Sequence, residues 1–94
     1  MKQPAVYIMA SQKLGTLYIG VTSNVRQRVE QHKIGAYDGF TWQYRVHRLV
    51  HLERFATMKE AITREKRLKE WQRAWKIRLI EETNPDWRDL TDQI

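Results

Sequence analysis

The 94-residue chain contains no cysteine. That absence excludes disulfide staples, thiolate zinc sites and a cysteine nucleophile. No apolar stretch approaches the roughly 20 residues needed to cross a bilayer. Met1-Lys2-Gln3-Pro4 leads straight into a short strand-like run rather than a long apolar segment, so the N-terminus does not read as a signal peptide. No internal repeat, low-complexity tract or linker divides the sequence. The expectation is a soluble, cytoplasmic protein with one domain over residues 1–94. Four Trp, four Tyr and two Phe supply enough bulk to close a small core.

Acidic residues are also in deficit. Seventeen Lys and Arg against 11 Asp and Glu leave a net charge of +6. Seven of the basic residues fall between Arg64 and Arg78, opposed only by Glu65 and Glu70. A local cationic band on a basic domain is the electrostatic footprint of a nucleic-acid binder, and equally that of a solvated helix face. The sign reverses after Glu81, and residues 84–94 form an acidic C-terminal segment.

Ala5–Ala10 is a short apolar run that predicts a buried strand. A turn at Gly15 separates it from a second strand, Leu17–Val21, and so short a connection predicts a hairpin. Thr22-Ser23-Asn24 supplies helix-capping residues. In the helix that follows, Val25 and Val29 mark the core face, and Arg28 and His32 share a neighbouring one. Lys33 to Phe40 reads as a loop, and Trp42 to Glu53 as a third strand with Val46, Val50 and Leu52 alternating. On that strand His47 and His51 would share a face.

Thr57 to Glu60 has the spacing of a capping box. The helix it starts has a predicted core stripe of Met58, Ala61, Ile62 and Leu68, with Glu65 in its middle. A carboxylate there is costly unless something charged pairs with it. Trp71, Ala74, Trp75 and Leu79 continue a helical pattern up to Asn84-Pro85, and Trp71, Trp75 and Trp87 read as packing residues. The order β-β-α-β-α-α predicts an α+β domain with a small, mainly antiparallel three-stranded sheet.

This order gathers two strand tyrosines, Tyr7 and Tyr18, an Arg28–His32 pair and the isolated Glu65. Each type serves phosphodiester hydrolysis. Arginine forks onto phosphate oxygens, and a carboxylate oxygen suits Mg²⁺. A tyrosine hydroxyl can orient or deprotonate water, although a phenol is a poor base unaided.

Ala5-Val6-Tyr7 followed by Leu17-Tyr18-Ile19-Gly20 resembles the paired motifs of the GIY-YIG nuclease superfamily, with the tyrosines eleven positions apart. The resemblance continues through Thr22–Val29 and resumes at Glu60–Glu65, so it spans essentially the whole chain. It implies a short, stand-alone bacterial type of nuclease domain. Tyr7, assisted by Tyr18, would activate the attacking water, and Arg28 would hold the scissile phosphate. His32 would contact the phosphate or relay a proton, and Glu65 would bind one Mg²⁺ or Mn²⁺. Substrate contacts are expected at Gly20, Asn24, Arg26, Lys66, Lys69 and Trp42. Tyr37 and Phe40 are further candidates for stacking on an unpaired base, and Asn84 loosely matches a late polar residue of some members. Ala5 departs from the glycine of the first motif, and Val21 replaces a basic or polar residue common in repair-type members.

The function expected on this basis is a metal-dependent DNA endonuclease, structure-selective or of little sequence specificity, with a role in DNA repair or recombination. The alternatives are a non-catalytic nucleic-acid-binding module and a protein-interaction domain that docks through its acidic end.

Overall fold

The computed structural model describes residues 3–94. Strands β1 (Ala5–Ala10) and β2 (Leu17–Thr22) form the expected hairpin. Helix α1 (Val25–Lys33) and a short helix α2 (Gly39–Gln43) precede strand β3 (Arg48–Arg54). Helices α3 (Met58–Glu70) and α4 (Arg73–Thr83) follow, and a 3₁₀ turn spans Leu90–Gln93. The sheet order is β2-β1-β3, and both pairings are antiparallel. The fold is α+β, as the sequence predicts.

β1 is apolar throughout because both of its faces are covered. Val6, Ile8 and Ala10 pack with Ala61, Leu68, Ile80 and Trp87 from the α3–α4 side. Ala5, Tyr7 and Met9 pack with Val25 and Val29 of α1. Asn24 caps α1 by accepting a hydrogen bond from the Gln27 amide, and Thr57 caps α3 through the Glu60 amide. The Thr57 hydroxyl also donates to the Glu60 carboxylate at 3.0 Å.

Three expectations need correction. The strand does not begin at Trp42, because Asp38 caps α2 through the Phe40 amide and draws Gly39–Gln43 into a helical turn. Arg45, at φ 56°, ends that turn, so Val46 is buried ahead of β3 rather than within it. His47 likewise precedes the strand, bonding the His32 carbonyl, while His51 pairs with Glu53. An irregularity between Ile8 and Met9 also breaks the alternation of β3. Val50 therefore faces the α3–α4 layer and Leu52 the α1 layer.

In α3 only Ala61 and Leu68 are fully buried, with Met58 and Ile62 at the exposed margin. The stripe that meets the sheet is Ala61, Glu65, Leu68. Trp71 breaks α3 from α4, and Trp75 is exposed beside it, their rings edge to face.

Residues 84–94 pack back onto β3. Trp87 enters the core and donates its indole N–H to Glu81. Arg48 donates to the Trp87 carbonyl, and Asp89 pairs with Lys33 and accepts the Leu49 amide. Asn84 is the pivot: its amide donates to the Val50 and Arg88 carbonyls and accepts from the Arg88 N–H. Asn84→Ala leaves the buried Val50 carbonyl unpaired and should cost about 3 kcal/mol. Urea unfolding checks this, and a loss under about 0.5 kcal/mol would remove Asn84 as the pivot.

Candidate active site

In the β1–β2 ladder Tyr7 stands opposite Gly20, and Tyr18 opposite Met9, so both tyrosines project from the α1 face. Their ring centroids are 6.3 Å apart. The Tyr7 phenol lies directly across β2. A Cβ on Gly20 would fall 2.4 Å from the Tyr7 hydroxyl oxygen and 2.5 Å from Cζ. Only glycine leaves that path open.

The path leads to His32, whose Nε2 lies 2.9 Å from the Tyr7 Oη. His32 continues the buried stripe of α1 after Val25 and Val29. Tyr18 and Tyr37 meet its ring edge-on at centroid distances of 5.0 and 4.9 Å. Its Nδ1 lies 3.0 Å from the hydroxyl of buried Thr41 on α2. Arg28, one turn earlier, is half-buried. Its Nε donates to the Gln31 side chain at 3.2 Å, and its guanidinium lies 3.9 Å from the Tyr37 ring centroid. The guanidinium also lies within hydrogen-bonding reach of the Tyr7 hydroxyl.

Burial sets the charge states here. It raises the Tyr7 phenol well above its ordinary value, against the pull of nearby Arg28. It also raises Tyr18, with Tyr7 adding to the effect. Burial and then the Arg28 charge lower His32 to about 4, with Asp38 opposing and His47 adding slightly. At neutral pH the pair is a neutral phenol against a neutral imidazole. Neither Tyr7 nor His32 has accessible surface: Tyr18 and Tyr37 lie against the His32 ring, and Arg28 against Tyr37.

Glu65 lies on α3, which packs against β2 and β1. It is mostly buried and pairs with Lys69 at 3.1 Å. Lys69 in turn lines a cleft of about 310 Å³ with Leu17, Tyr18, Ile19, Phe40 and Lys76. Of the tyrosine pair Tyr18 lines this cleft, while Tyr7 is buried behind it and Glu65 connects to it through Lys69. Among the described residues no three His, Asp or Glu side chains cluster around a metal position. A lone carboxylate fits Mg²⁺ or Mn²⁺, which keep several waters and complete their shell from substrate phosphate.

Other expected contacts lie apart. Asn24 spends its side-chain oxygen on its helix cap. Arg26 borders a separate cleft with Gln3, Arg54 and Ile94. Trp42 packs over Gly35 and His47, away from the tyrosines. Lys66 is exposed on α3. Asn84 is absorbed by the fold. Sequence reasoning missed Thr41; its one signal is Asp38, a capping residue three positions earlier.

Residues 3–78 match the family model described as the GIY-YIG catalytic domain. The chain belongs to the GIY-YIG family. A UPF0213 protein of Syntrophus aciditrophicus is 38% identical over 88 residues, covering 92% of this chain and 98% of that one. A UPF0213 protein of Staphylococcus aureus is 39% identical over 77 residues, covering 82% and 93%. The solution NMR structure of a UPF0213 protein from Bacillus halodurans matches with a TM-score of 0.58 at 28% identity, over 96% of this chain and 95% of that one. In this GIY-YIG chain the two motifs have a steric bond: the glycine of the second vacates the space that the tyrosine of the first occupies.

Two measurements follow from this packing. Gly20→Ala should cost about 1–3 kcal/mol through overpacking and drive the Tyr7 phenol from His32. An unfolding midpoint and His32 shifts both unchanged would contradict the steric bond. NMR titration should place His32 near 4. Because the unfolded imidazole takes up its proton first, near 6.5, stability should fall as pH drops from about 6.5 to 4. A midpoint near 6.5 would mean a solvated ring.

Proposed function

We propose that this GIY-YIG protein is an endonuclease that hydrolyses phosphodiester bonds in DNA with little sequence preference. The observation that supports it most is the 2.9 Å contact of Tyr7 with an uncharged imidazole, beside the Arg28 guanidinium. Arg28 leaves the Tyr37 ring to fork onto the scissile phosphate. Tyr7 takes a proton from the attacking water while its own proton passes to His32. The water oxygen bonds to phosphorus, the bond to the leaving oxygen breaks, and the leaving oxygen takes its proton from solvent. A divalent ion on Glu65 would supply charge neutralisation at the phosphate and leaving oxygen.

Tyr18, Phe40, Lys69 and Lys76 form the cleft along which the strand would continue, with amines for phosphates and rings for bases. No helix among the described residues is long and apolar enough to cross a membrane.

A second reading, a binding module without catalysis, draws on two observations. Tyr7 is fully covered, and Lys69 already neutralises Glu65. In that reading Lys69 replaces the ion permanently.

Nicking of supercoiled plasmid separates the readings. Wild type should cut with Mg²⁺ or Mn²⁺ and stop in EDTA, and Glu65→Ala should be at least about 100-fold slower while still binding DNA. Undiminished cutting by Glu65→Ala would remove the metal role from that residue. Salt-sensitive binding without cutting by either protein would favour the second reading.

A further inference from the structure

Thr41 is fully buried on α2 and belongs to neither GIY-YIG motif, yet it touches the ring that faces Tyr7. Its hydroxyl carries one proton, and its 2.9 Å partner on the far side is the Asp38 carbonyl. The Asp38 carbonyl oxygen also accepts the Trp42 amide at 3.2 Å, and the shorter 2.9 Å hydroxyl contact places the Thr41 proton on it. The lone pairs of Thr41 Oγ1 then face His32 Nδ1 at 3.0 Å, and that nitrogen must carry a hydrogen. His32 is neutral at physiological pH and holds one ring proton, so its Nε2 is bare. The 2.9 Å contact is then Tyr7 O–H donating to Nε2. We infer that Thr41 is a positioning residue that fixes the His32 tautomer so that Tyr7 can give its proton inward.

This inference rests on the hydrolytic reading above and deepens it. In the opposite tautomer Nε2–H would donate to the phenol oxygen. The Tyr7 proton would then point toward the substrate, and Tyr7 would be a donor where the reaction needs an acceptor. With Thr41 in place, the phenol oxygen turns its lone pairs away from His32, toward the Arg28 side. One transfer adds the water's proton to Oη, and a second moves the original phenol proton to Nε2. The imidazolium that results keeps its Nδ1–H on Thr41 and stays buried. Its charge is balanced only when a phosphodiester lies beside it, so the pair remains neutral without substrate.

The test uses the whole protein, labelled with ¹⁵N, and long-range proton–nitrogen spectra of the histidine rings without DNA. Wild type and Thr41→Ser should show His32 protonated at Nδ1 and bare at Nε2. Thr41→Val, close in shape but without an acceptor, should shift His32 toward the Nε2–H form. In plasmid nicking, Thr41→Val should be slowed by about 100-fold with DNA affinity unchanged, and Thr41→Ser should remain within a few-fold of wild type. A wild-type His32 protonated at Nε2 overturns the inference outright, even if Thr41→Val fails to fold. So does an altered tautomer in Thr41→Val with full cutting. If wild type cuts nothing while the spectra behave as expected, the hydrolytic reading fails and the tautomer assignment stands.

Discussion

The crossing of the Tyr7 phenol over β2 at Gly20 is the constraint on which the site depends. It requires a hairpin in tight register, since a slip of one residue would send Tyr7 to the opposite face of the sheet. It requires glycine at one position only, where a methyl group would fall 2.4 Å from the hydroxyl oxygen. It also sets how closely α1 must approach, because His32 has to reach the phenol at 2.9 Å while Val25 and Val29 fill the space beneath. The core around β1 holds these tolerances. Every residue of β1 is buried, and α3 and α4 close the far face.

The electrostatic consequence is a paired acid and base, both held neutral. Burial opposes charge on each partner, and the nearby Arg28 favours phenolate while disfavouring imidazolium. Those effects nearly fix the resting protons where they are. In the proposed reaction a bound phosphodiester would bring the missing negative charge, and the same low-dielectric surroundings would strengthen its attraction for a proton on His32.

The elements that position this chemistry were largely legible because each carries a local signal. Apolar runs gave the hairpin, Asn24 and Thr57 marked helix starts, and mid-stripe Glu65 is in place between Ala61 and Leu68. The segment from Lys33 to Arg48 was not legible as it folds. Trp42 and Val46 have strand propensity, but the Asp38 cap and the left-handed Arg45 override it. Thr41 sits in that segment, and its contact with His32 is tertiary, so no spacing announces it. Asn24 and Trp42 illustrate the converse. Their types suit substrate contact, yet a helix cap and a glycine neighbour take up their side chains.

The interactions around the site differ in how readily they yield. The Tyr7–His32–Thr41 chain is buried, and breaking it strands polar groups at about 1–3 kcal/mol each. Arg28 rests on the exposed ring of Tyr37, and Lys69 reaches the mostly buried Glu65 from outside. An exposed cation–π contact holds about 0.5–1 kcal/mol. In the proposed reaction a phosphate would displace a contact of that size at little cost. What that reaction must keep is inside, and what it must yield to substrate is outside. Tyr37, which meets the His32 ring, is held from outside by Arg28, so a phosphate that drew Arg28 away would loosen the cover over the buried pair.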